Sequence, residues 1–411
     1  MDFEKLIEFV REHREEDPLK LLLQQKKYSD VDMALVAQQI EGQRQALAKW
    51  PTLASCQYFM YPPRLNREQS SSEEASAYKT DIVERIFGKR QCELRIADLT
   101  GGMGIDSIAF AKMSGSTVDY VECNADLCQL MEHNAEALGL SNIKVHCGDG
   151  IEWLRQRGQK YDIIYIDPAR RDTRGKKVAA FEDCTPNVLE HRELLADFCD
   201  HLMIKASPMM DIDKGIEQLG NVSDVYVVAV KNECKELVFV CGHTSEEARI
   251  HCANINPGDR MYNDEPFTRT QEAQAECVYC KSVGRYIYEP DASLMKGGPY
   301  KLLSEQWGVQ KLARSTHLYT SDDLYDWKGR IFCVICEIQL SKKAVATVIP
   351  DGKAHVIARN YPKRAEELQR QLGLKEGGEL FVIATTVGTK KRGFICCDKK
   401  NYQHFLKEMN K

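Results

Sequence analysis

The sequence predicts an α/β protein in which a mostly parallel sheet is covered by helices on both faces. Two observations support this fold class. Between about residues 95 and 241, seven short apolar runs alternate with segments of helical character, as strands do when crossover helices connect them. The last two runs are separated only by residues 231–236, which are too few for a crossover helix and therefore indicate an antiparallel hairpin.

Composition limits the class of protein. Of the 411 residues, 43% are hydrophobic and 28% are charged, which is typical of a folded protein with two or more domains. No apolar run reaches the roughly 18–20 residues of a membrane span, and the charged start is unlike a signal peptide. We therefore expect a cytoplasmic protein with no membrane partner and with its 16 cysteines reduced. Composition leaves the oligomeric state open.

Residues 1–90 are predicted to be a helical N-terminal region. Pro18 is expected to end or kink the first helix, and residues 70–74 supply capping residues for a helix that runs to about Phe87. The first helix is indicated by apolar residues at helical spacing, namely Phe3, Leu6, Ile7 and Val10.

The strands and helices after residue 90 give the remaining domain boundaries. The sheet domain is predicted over 91–245, a small connecting domain over 246–316 and an α+β domain over 317–411. In the last of these, residues 331–340 and 380–386 read as strands and 363–372 as a helix that ends near Gly373. The strands of the sheet domain are predicted at 95–99, 117–121, 143–146, 161–166, 202–205, 225–230 and 237–241.

A glycine-rich turn follows the first predicted strand and opens a predicted helix. Glycine there lets the backbone turn tightly and approach a ligand closely. The dinucleotide-binding pattern requires a further glycine at the position of Ser107, and the Walker pattern requires a Gly-Lys-Ser/Thr run that is absent. The turn reads Asp98-Leu99-Thr100-Gly101-Gly102-Met103-Gly104.

Acidic residues recur where successive strands end. Glu122 follows the second strand, where a carboxylate can accept hydrogen bonds from both hydroxyls of a ribose. Asp149 follows the third strand and can accept a hydrogen bond from an adenine amino group, while Asp167 follows the fourth. Two neighbours have structural alternatives: Asn124 can cap the next helix, and Asp106 reads as a first-turn helix charge.

This set of motifs resembles the class I S-adenosylmethionine-dependent methyltransferases over about residues 70–242. The resemblance implies a Rossmann-like sheet of seven strands and S-adenosyl-L-methionine as cofactor. It implies that Glu122 binds the ribose and Asp149 the adenine, with Asn124 beside the base. It also implies that the glycine-rich turn binds the methionine part of the cofactor, through Asp98, Thr100, Gly101, Gly102 and Gly104.

The fourth strand ends in Asp167-Pro168-Ala169-Arg170, which resembles the Asp/Asn-Pro-Pro-aromatic motif of amino-methylating enzymes. The resemblance implies that the Asp167 carboxylate and the Pro168 carbonyl accept hydrogen bonds from an acceptor amino group. Ala169 and Arg170 depart from that motif, so no aromatic ring is guaranteed to stack on a base. Phe181 can supply a ring, although a packing role is the favoured interpretation.

The same run also resembles the Asp-Pro-x-Arg motif of RNA uracil-C5 methyltransferases. Their chemistry needs a cysteine after the fifth strand, where residues 204–208 read Ile-Lys-Ala-Ser-Pro, so uracil C5 is disfavoured. Lys205, in this run, is equally compatible with a structural role and with substrate contact.

Basic residues point to an anionic acceptor. Residues 170–177 carry five of them beside the predicted site, and Arg170, Arg171 and Arg174 suit phosphate contacts, although a solvated loop is the alternative interpretation. Residues 341–411 have 15 Lys and Arg against 7 Asp and Glu, a balance of +8 in a chain whose net charge is −5.

A second resemblance covers the C-terminal part. His355 to Pro362, Leu374 to Gly378 and Thr389 to Phe394 look like the THUMP-like domain of a bacterial methyltransferase family, with a small ferredoxin-like insert before it. THUMP domains bind tRNA, so the resemblance implies an RNA substrate. We therefore predict an enzyme that methylates a base amino group in RNA, either tRNA or rRNA. A methyltransferase for a small molecule or protein, and a non-catalytic RNA-binding protein of this fold, are the alternatives.

The cysteine spacing does not predict a metal site. Cys277 and Cys280 form one Cys-x-x-Cys pair, and Cys333 and Cys336 form another, but 52 residues separate the pairs. Residues three apart on a strand point to opposite faces, so we expect buried free thiols and no metal ligands.

Overall fold

The chain folds into two units, and the computed structural model describes residues 3–28, 30–88, 93–170, 181–242, 246–256 and 265–402. The first unit contains residues 1–231, 235–249 and 255–262, and the second contains residues 232–234, 250–254 and 263–411.

The first unit begins with helices. The apolar face of the first helix, with Leu6, Ile7 and Val10, is buried against the next two, which confirms the predicted helix. Pro18 does not kink this helix, because it stands in the first turn of the second helix, where its missing N–H costs no hydrogen bond. The helices are α1 (Phe3–His13), α2 (Pro18–Leu22), α3 (Met33–Lys49), α4 (Pro51–Ala54), α5 (Arg64–Gln69) and α6 (Glu73–Phe87).

Alternating strands and helices follow and confirm the predicted fold class. The elements are β1 (Leu94–Asp98), α7 (Ile105–Ala111), β2 (Ser116–Glu122), α8 (Ala125–Ala137), β3 (Ile143–Cys147), α9 (Gly150–Arg157), β4 (Tyr161–Ile166), β5 (Ala169–Arg170), β6 (Cys184–Thr185), α10 (Arg192–Asp197), β7 (Cys199–Ala206), α11 (Ile212–Leu219), β8 (Val222–Val230), β9 (Glu233–Cys241) and β10 (Arg249–Ile255).

The sheet has the order β10-β8-β9-β7-β4-β1-β2-β3. Among the described residues it therefore holds eight strands, one more than the seven predicted, because β10 extends the edge beside β8. Strands β1, β2, β3, β4 and β7 are parallel, and β9 is antiparallel to β7. The parallel strands all end at the edge that carries the glycine-rich turn, where open α/β sheets bind ligands.

The predicted hairpin is present but tighter than the sequence indicates. Strands β8 and β9 are joined by Lys231 and Asn232 alone, with φ angles of 52° and 61°. Two consecutive positive φ angles give the type I′ turn, whose twist matches that of the flanking strands. Strand β9 consequently begins at Glu233 and carries Glu236 to the sheet edge that holds the predicted site.

The second unit contains a seven-stranded sheet with the order β12-β13-β11-β14-β17-β16-β15. Its elements are α12 (Arg269–Gln274), β11 (Tyr286–Pro290), α13 (Ala292–Gly297), α14 (Tyr300–Trp307), β12 (Gln310–Ala313), β13 (Thr316–Ser321), β14 (Gly329–Ile338), α15 (Lys342–Val348), β15 (His355–Arg359), α16 (Ala365–Leu372), β16 (Leu380–Val387) and β17 (Lys390–Asp398).

One seven-stranded sheet spans the predicted boundary between residues 316 and 317, and the division into two domains stays a prediction. That boundary falls inside β13, and β14 pairs with β11 on one side and with β17 on the other. Both edges of β11 need hydrogen-bond partners, so the two segments share one sheet. Helix α16 ends at Gly373 with φ 71°, as the sequence predicts.

In the part of the chain that the structure describes, no helix combines the length and apolarity needed to cross a lipid bilayer.

Candidate active site

The glycine-rich turn between β1 and α7 has different requirements at each glycine. A Cβ at Gly101 would lie 2.2 Å from the Tyr120 ring, so this glycine is needed for packing. At Gly102, where φ is 55°, a Cβ would meet nothing closer than the Thr100 carbonyl oxygen at 3.8 Å. The Tyr120 hydroxyl donates to the Gly102 carbonyl at 2.6 Å and holds the turn. Gly102 is thus the position at which the backbone faces open space.

Glu122, at the end of β2, is bonded directly to this turn. Its Oε2 accepts the Gly102 N–H at 2.8 Å, and its Oε1 accepts the Asn124 N–H at 2.8 Å. Each carboxylate oxygen keeps a second lone pair for a further donor. The Asn124 side chain accepts two N–H groups of the first turn of α8, so it caps that helix, and its placement beside adenine stays a prediction.

Asp149 lies beside Glu122 at the neighbouring strand end. Glu122 pairs in register with Cys147, two residues before Asp149. Asp149 Oδ1 accepts the N–H groups of Ile151 and Glu152, both at 2.9 Å, and caps α9. This arrangement fixes the carboxylate and leaves Oδ2 directed away from the helix bonds. The structure therefore brings the turn, Glu122 and Asp149 together, as the sequence predicts.

Asp98 is buried beneath the turn. Its carboxylate accepts the Ser107 hydroxyl at 2.6 Å and the Thr100 N–H at 3.1 Å. Burial raises the pKa of Asp98 to about 7, although these hydrogen bonds oppose the shift. A buried carboxylate of this kind favours a cationic ligand, because the cation compensates the charge that burial penalises.

Asp167, after β4, is held from two sides. Its N–H donates to Thr100 Oγ1 at 2.6 Å, and its Oδ2 lies 2.5 Å from Lys205 Nζ. The Lys205 side chain is 12% exposed, and burial alone would lower its pKa. The charges of Asp167, Glu236 and Asp106 outweigh burial and raise the pKa of Lys205, so the ammonium form is stabilised. Lys205 therefore positions Asp167, while substrate contact by Lys205 stays a prediction.

Beneath these residues lies a buried charge network that sequence reasoning missed. Lys79 of α6 is fully buried, contacts Glu236 and lies 3.2 Å from Asp106. Asp106 also accepts the hydroxyls of Ser71 at 2.9 Å and Tyr165 at 2.7 Å. Burial favours a raised pKa for Asp106, but the lysine charges outweigh burial and hold the pKa below its usual value. Asp106 is thus a first-turn charge of α7, as predicted, and it is also a buried ion-pair partner.

The N-terminal helices form one wall of this network. Lys49 Nζ donates to the Arg67 carbonyl at 2.7 Å, and the Trp50 ring nitrogen donates to the Ser71 carbonyl at 2.7 Å. Burial and the nearby charge of Lys205 lower the pKa of Lys49 to about 8. The helical region predicted over residues 1–90 is therefore part of the first unit and contributes to its site.

The remaining predicted residues lie close to Asp167 in the sequence, and the structure describes only some of their side chains. Phe181 is buried and packs edge to face on Phe239 at 5.6 Å, which confirms the packing interpretation. The backbone of Arg170 pairs with Cys184, but the Arg170 side chain, Arg171 and Arg174 lie outside the described residues. Pro168 is buried beside Asp167.

No metal site is found among the His, Cys, Asp and Glu side chains within the described residues. Cys280 and Cys333 are buried, and Cys333 lies directly opposite Cys397 in the sheet of the second unit. Burial raises the pKa of Cys333 and of Cys280, so both are stabilised as thiols.

Three family models match parts of the chain. Residues 22–175 match the model described as protein-L-isoaspartate(D-aspartate) O-methyltransferase. Residues 286–326 match a ferredoxin-like domain, and residues 329–399 match a THUMP domain-like family. No curated protein matches the chain.

Solved structures give a whole-chain likeness. A crystal structure from Porphyromonas gingivalis W83, provisionally described as a methyltransferase, is 29% identical, covers 97% of this chain and 98% of its own, and has a TM-score of 0.84. An S-adenosylmethionine-dependent methyltransferase from Agrobacterium tumefaciens is 22% identical over 41% of this chain and 61% of its own, with a TM-score of 0.32. The first of these shares the whole fold, whereas the second overlaps only in part.

The whole-chain likeness and the methyltransferase family model over residues 22–175 agree with the α/β fold of the first unit, and the THUMP-like model covers residues 329–399 of the second. The chain thus has the fold of a class I methyltransferase and a C-terminal domain similar to THUMP-like domains.

Proposed function

We propose that this methyltransferase transfers a methyl group from S-adenosyl-L-methionine to a base amino group in RNA, in the cytoplasm. The observation that carries the proposal is the position of Asp167. Its N–H is bonded to Thr100 of the glycine-rich turn, and its carboxylate is fixed by Lys205. A hydrogen-bond acceptor is thereby placed directly beside the turn that we assign to the cofactor.

The donor set of the turn fits this cofactor. Glu122 suits two vicinal ribose hydroxyls, Asp149 suits an adenine amino group, and buried Asp98 suits a positively charged methionine part. The open space at Gly102 leaves room for a ligand against the backbone. When bound, the cofactor supplies a methyl group activated on a sulfonium, which an aligned nucleophile displaces in line.

Asp167 and Pro168 orient the acceptor. Asp167 Oδ1 accepts one N–H of the amino group, and the Pro168 carbonyl accepts the other, which directs the nitrogen lone pair toward the methyl group. Lys205 holds Asp167 Oδ2, so the carboxylate keeps one orientation. The alignment is thus provided by residues that are held in place by contacts within the protein.

Three observations support RNA as the acceptor. The second unit matches a THUMP domain-like family, residues 341–411 carry a balance of +8, and residues 170–177 add five basic residues close in sequence to Asp167. Positive charge of this kind provides most of the affinity of proteins for a phosphate backbone.

Reversing the charge of Glu122 tests the cofactor site. We expect the wild-type protein to bind S-adenosyl-L-methionine with a micromolar dissociation constant in calorimetry. Glu122→Lys should abolish binding, because it removes the ribose acceptor and the partner of the Gly102 N–H. Glu122→Gln should weaken it by about tenfold, as expected for one charged hydrogen bond. Glu84→Lys, an exposed change on α6, is the matched control. Undiminished binding by Glu122→Lys would contradict the assignment.

Labelled-methyl transfer into total RNA from cells that lack the protein tests the reaction, with nucleoside mass spectrometry to identify the product. Asp167→Ala should bind the cofactor as the wild type does and lose at least about 100-fold in transfer, because orientation and proton acceptance are lost. Asp167→Asn removes the charge but keeps the shape beside Lys205, so it separates catalysis from packing. Transfer that survives both changes would show that Asp167 is not catalytic.

The family model over residues 22–175 favours one second candidate, a methyltransferase that acts on a protein carboxylate. A peptide containing isoaspartate tests it in the same assay. Methylation of that peptide, unaffected by ribonuclease, would favour the protein substrate. Binding of RNA without transfer to any RNA or peptide would favour a non-catalytic role.

A further inference from the structure

Two arginines of the second unit converge on one buried carboxylate. Glu289 of β11 has a side chain that is 5% exposed. Its Oε2 accepts Arg330 Nε at 2.7 Å and lies 2.5 Å from Arg330 Nη2. Its Oε1 accepts Arg359 Nε at 2.8 Å. One carboxylate therefore binds two guanidinium groups, each through a different oxygen.

The second arginine lies on a strand that is distant from β11 in the order of the sheet. Arg330 lies directly opposite Glu289 on the adjacent strand, but β15, which carries Arg359, is four strands away from β11. In a flat sheet, four strand spacings amount to about 19 Å. The sheet must therefore curl to bring Arg359 to Glu289.

The backbone around Arg359 is fixed by further hydrogen bonds. Asn360, with φ 49°, donates from Nδ2 to the Thr316 hydroxyl at 2.9 Å. The Thr386 hydroxyl donates to the Asn360 carbonyl at 2.6 Å. Asparagine tolerates this left-handed conformation better than most residues do. Arg359 is consequently presented from a rigid position, which lowers the entropy cost of binding a ligand.

This cluster contains more positive than negative charge. One arginine is enough to neutralise Glu289, so the second leaves the group with a net charge of +1. The side chains of Arg330 and Arg359 are 37% and 45% exposed, and Arg359 Nη1 also donates to the Ala358 carbonyl at 3.3 Å, so part of each guanidinium remains open to a further acceptor. A guanidinium has five N–H donors in a plane, and Glu289 engages two of Arg330 and one of Arg359.

We propose that Arg330 and Arg359, oriented by Glu289, form a phosphate-binding site that holds a backbone phosphate of the RNA substrate. This inference rests on the proposed function for the identity of the ligand, but the phosphate chemistry follows from the cluster itself. Paired guanidinium groups match the geometry of phosphate oxygens and bind them through parallel charged hydrogen bonds. The cluster belongs wholly to the second unit and shares no residue with the set assigned to the cofactor.

Binding of a labelled single-stranded RNA oligonucleotide to the full chain, measured by fluorescence anisotropy from about 50 to 300 mM NaCl, tests the site. We expect Arg330→Met and Arg359→Met each to weaken binding by about 3–10-fold and to reduce the slope of log affinity against log salt by about 0.7–1. The double variant should lose about twice that slope. Arg359→Lys should keep the slope and lose affinity, because lysine retains the charge without the planar fork.

Arg364→Met is the matched control, because Arg364 is exposed in the same unit and its loss removes the same charge. It should leave affinity and salt slope close to those of the wild type. Circular dichroism and melting temperature of every variant separate a loss of binding from a loss of folding.

Inorganic phosphate provides a second, independent test of the site. At equal ionic strength, phosphate should raise the melting temperature of the wild type above its value in chloride, and the double variant should show no such rise. A folded double variant that binds RNA with the affinity and slope of the wild type, and that phosphate stabilises equally, would overturn the site. RNA methylation by the wild type would then still support the proposed function. A wild type stabilised by phosphate through these arginines, but inactive on RNA, would support the site and refute the RNA substrate.

Discussion

Replacing Lys79 with methionine is expected to lower the free energy of unfolding by about 3–5 kcal/mol, the usual effect of leaving a buried charge without its partner. Lys79 is fully buried, and its ammonium contacts the carboxylates of Glu236 and Asp106. Methionine fills a similar volume but leaves both carboxylates without this cation. Urea unfolding followed by circular dichroism measures the effect.

A second variant separates charge from packing at Lys79. In Lys79→Met/Glu236→Gln, one of the two uncompensated charges is also removed, so we expect the double variant to recover about 1–2 kcal/mol relative to Lys79→Met alone. Lys112→Met, at an exposed position after α7, should change stability by less than about 0.5 kcal/mol. Equal stability of Lys79→Met and the wild type would show that the network is not an energetic unit.

Replacing Asp98 with asparagine should have opposite effects on stability and on cofactor binding. The folded-state pKa of Asp98 is raised to about 7, so the folded state holds its proton more tightly than the unfolded chain does. A raised carboxyl pKa means that this group destabilises the protein increasingly as the pH rises from about 4 to about 7. Asparagine cannot ionise and avoids this cost. The stability of Asp98→Asn relative to the wild type should therefore rise by about 2–4 kcal/mol between pH 4 and pH 8.

Cofactor binding by Asp98→Asn should fall at least about tenfold at pH 8, because the carboxylate assigned to the charged methionine part is absent. Thermal unfolding across the pH range and calorimetry with S-adenosyl-L-methionine measure the two effects. Ser107→Ala, which removes a hydrogen bond to the same carboxylate, is the matched comparison and should keep the pH dependence. A stability difference that is constant with pH would mean that Asp98 does not ionise in this range.

Stability and binding at Asp98 are opposed for one physical reason. A carboxylate without a cation is costly in a buried position, and the same cost favours any ligand that brings positive charge. By contrast, the charges of Lys79, Asp106 and Glu236 are paired with one another within the protein. We therefore expect loss of this network to lower the stability of the fold more than the affinity for the cofactor.

Local sequence predicted much of the site. The glycine-rich turn, Glu122 and Asp149 each follow a strand, and the parallel sheet brings these strand ends to one edge. Asn124 and Asp149 also cap helices, and the spacing of a capping residue before an apolar run indicates this directly. What local sequence did not indicate was that the Glu122 carboxylate accepts a hydrogen bond from the Gly102 N–H.

The charge network was beyond local sequence reasoning. Lys79 and Glu236 are 157 residues apart, and their contact depends on the hairpin that returns β9 to the site edge of the sheet. Asp106 has the sequence context of an ordinary first-turn charge, and burial beneath Ser71 and Tyr165 changes its role. No spacing rule relates a lysine on an early helix to acids on a later strand and helix.

Sequence by itself determined the alternation of strands and helices, the turn that opens α7 and the chemical types of the residues at the strand ends, because these depend on periodicity and on glycine and capping residues over short distances. The tertiary structure alone decided which charges pair: Asp167 with Lys205, Asp106 and Glu236 with Lys79, and Glu289 with Arg330 and Arg359. Such pairs form because a buried charge requires a partner, and the partner is chosen by the packing of distant segments and not by their order in the chain.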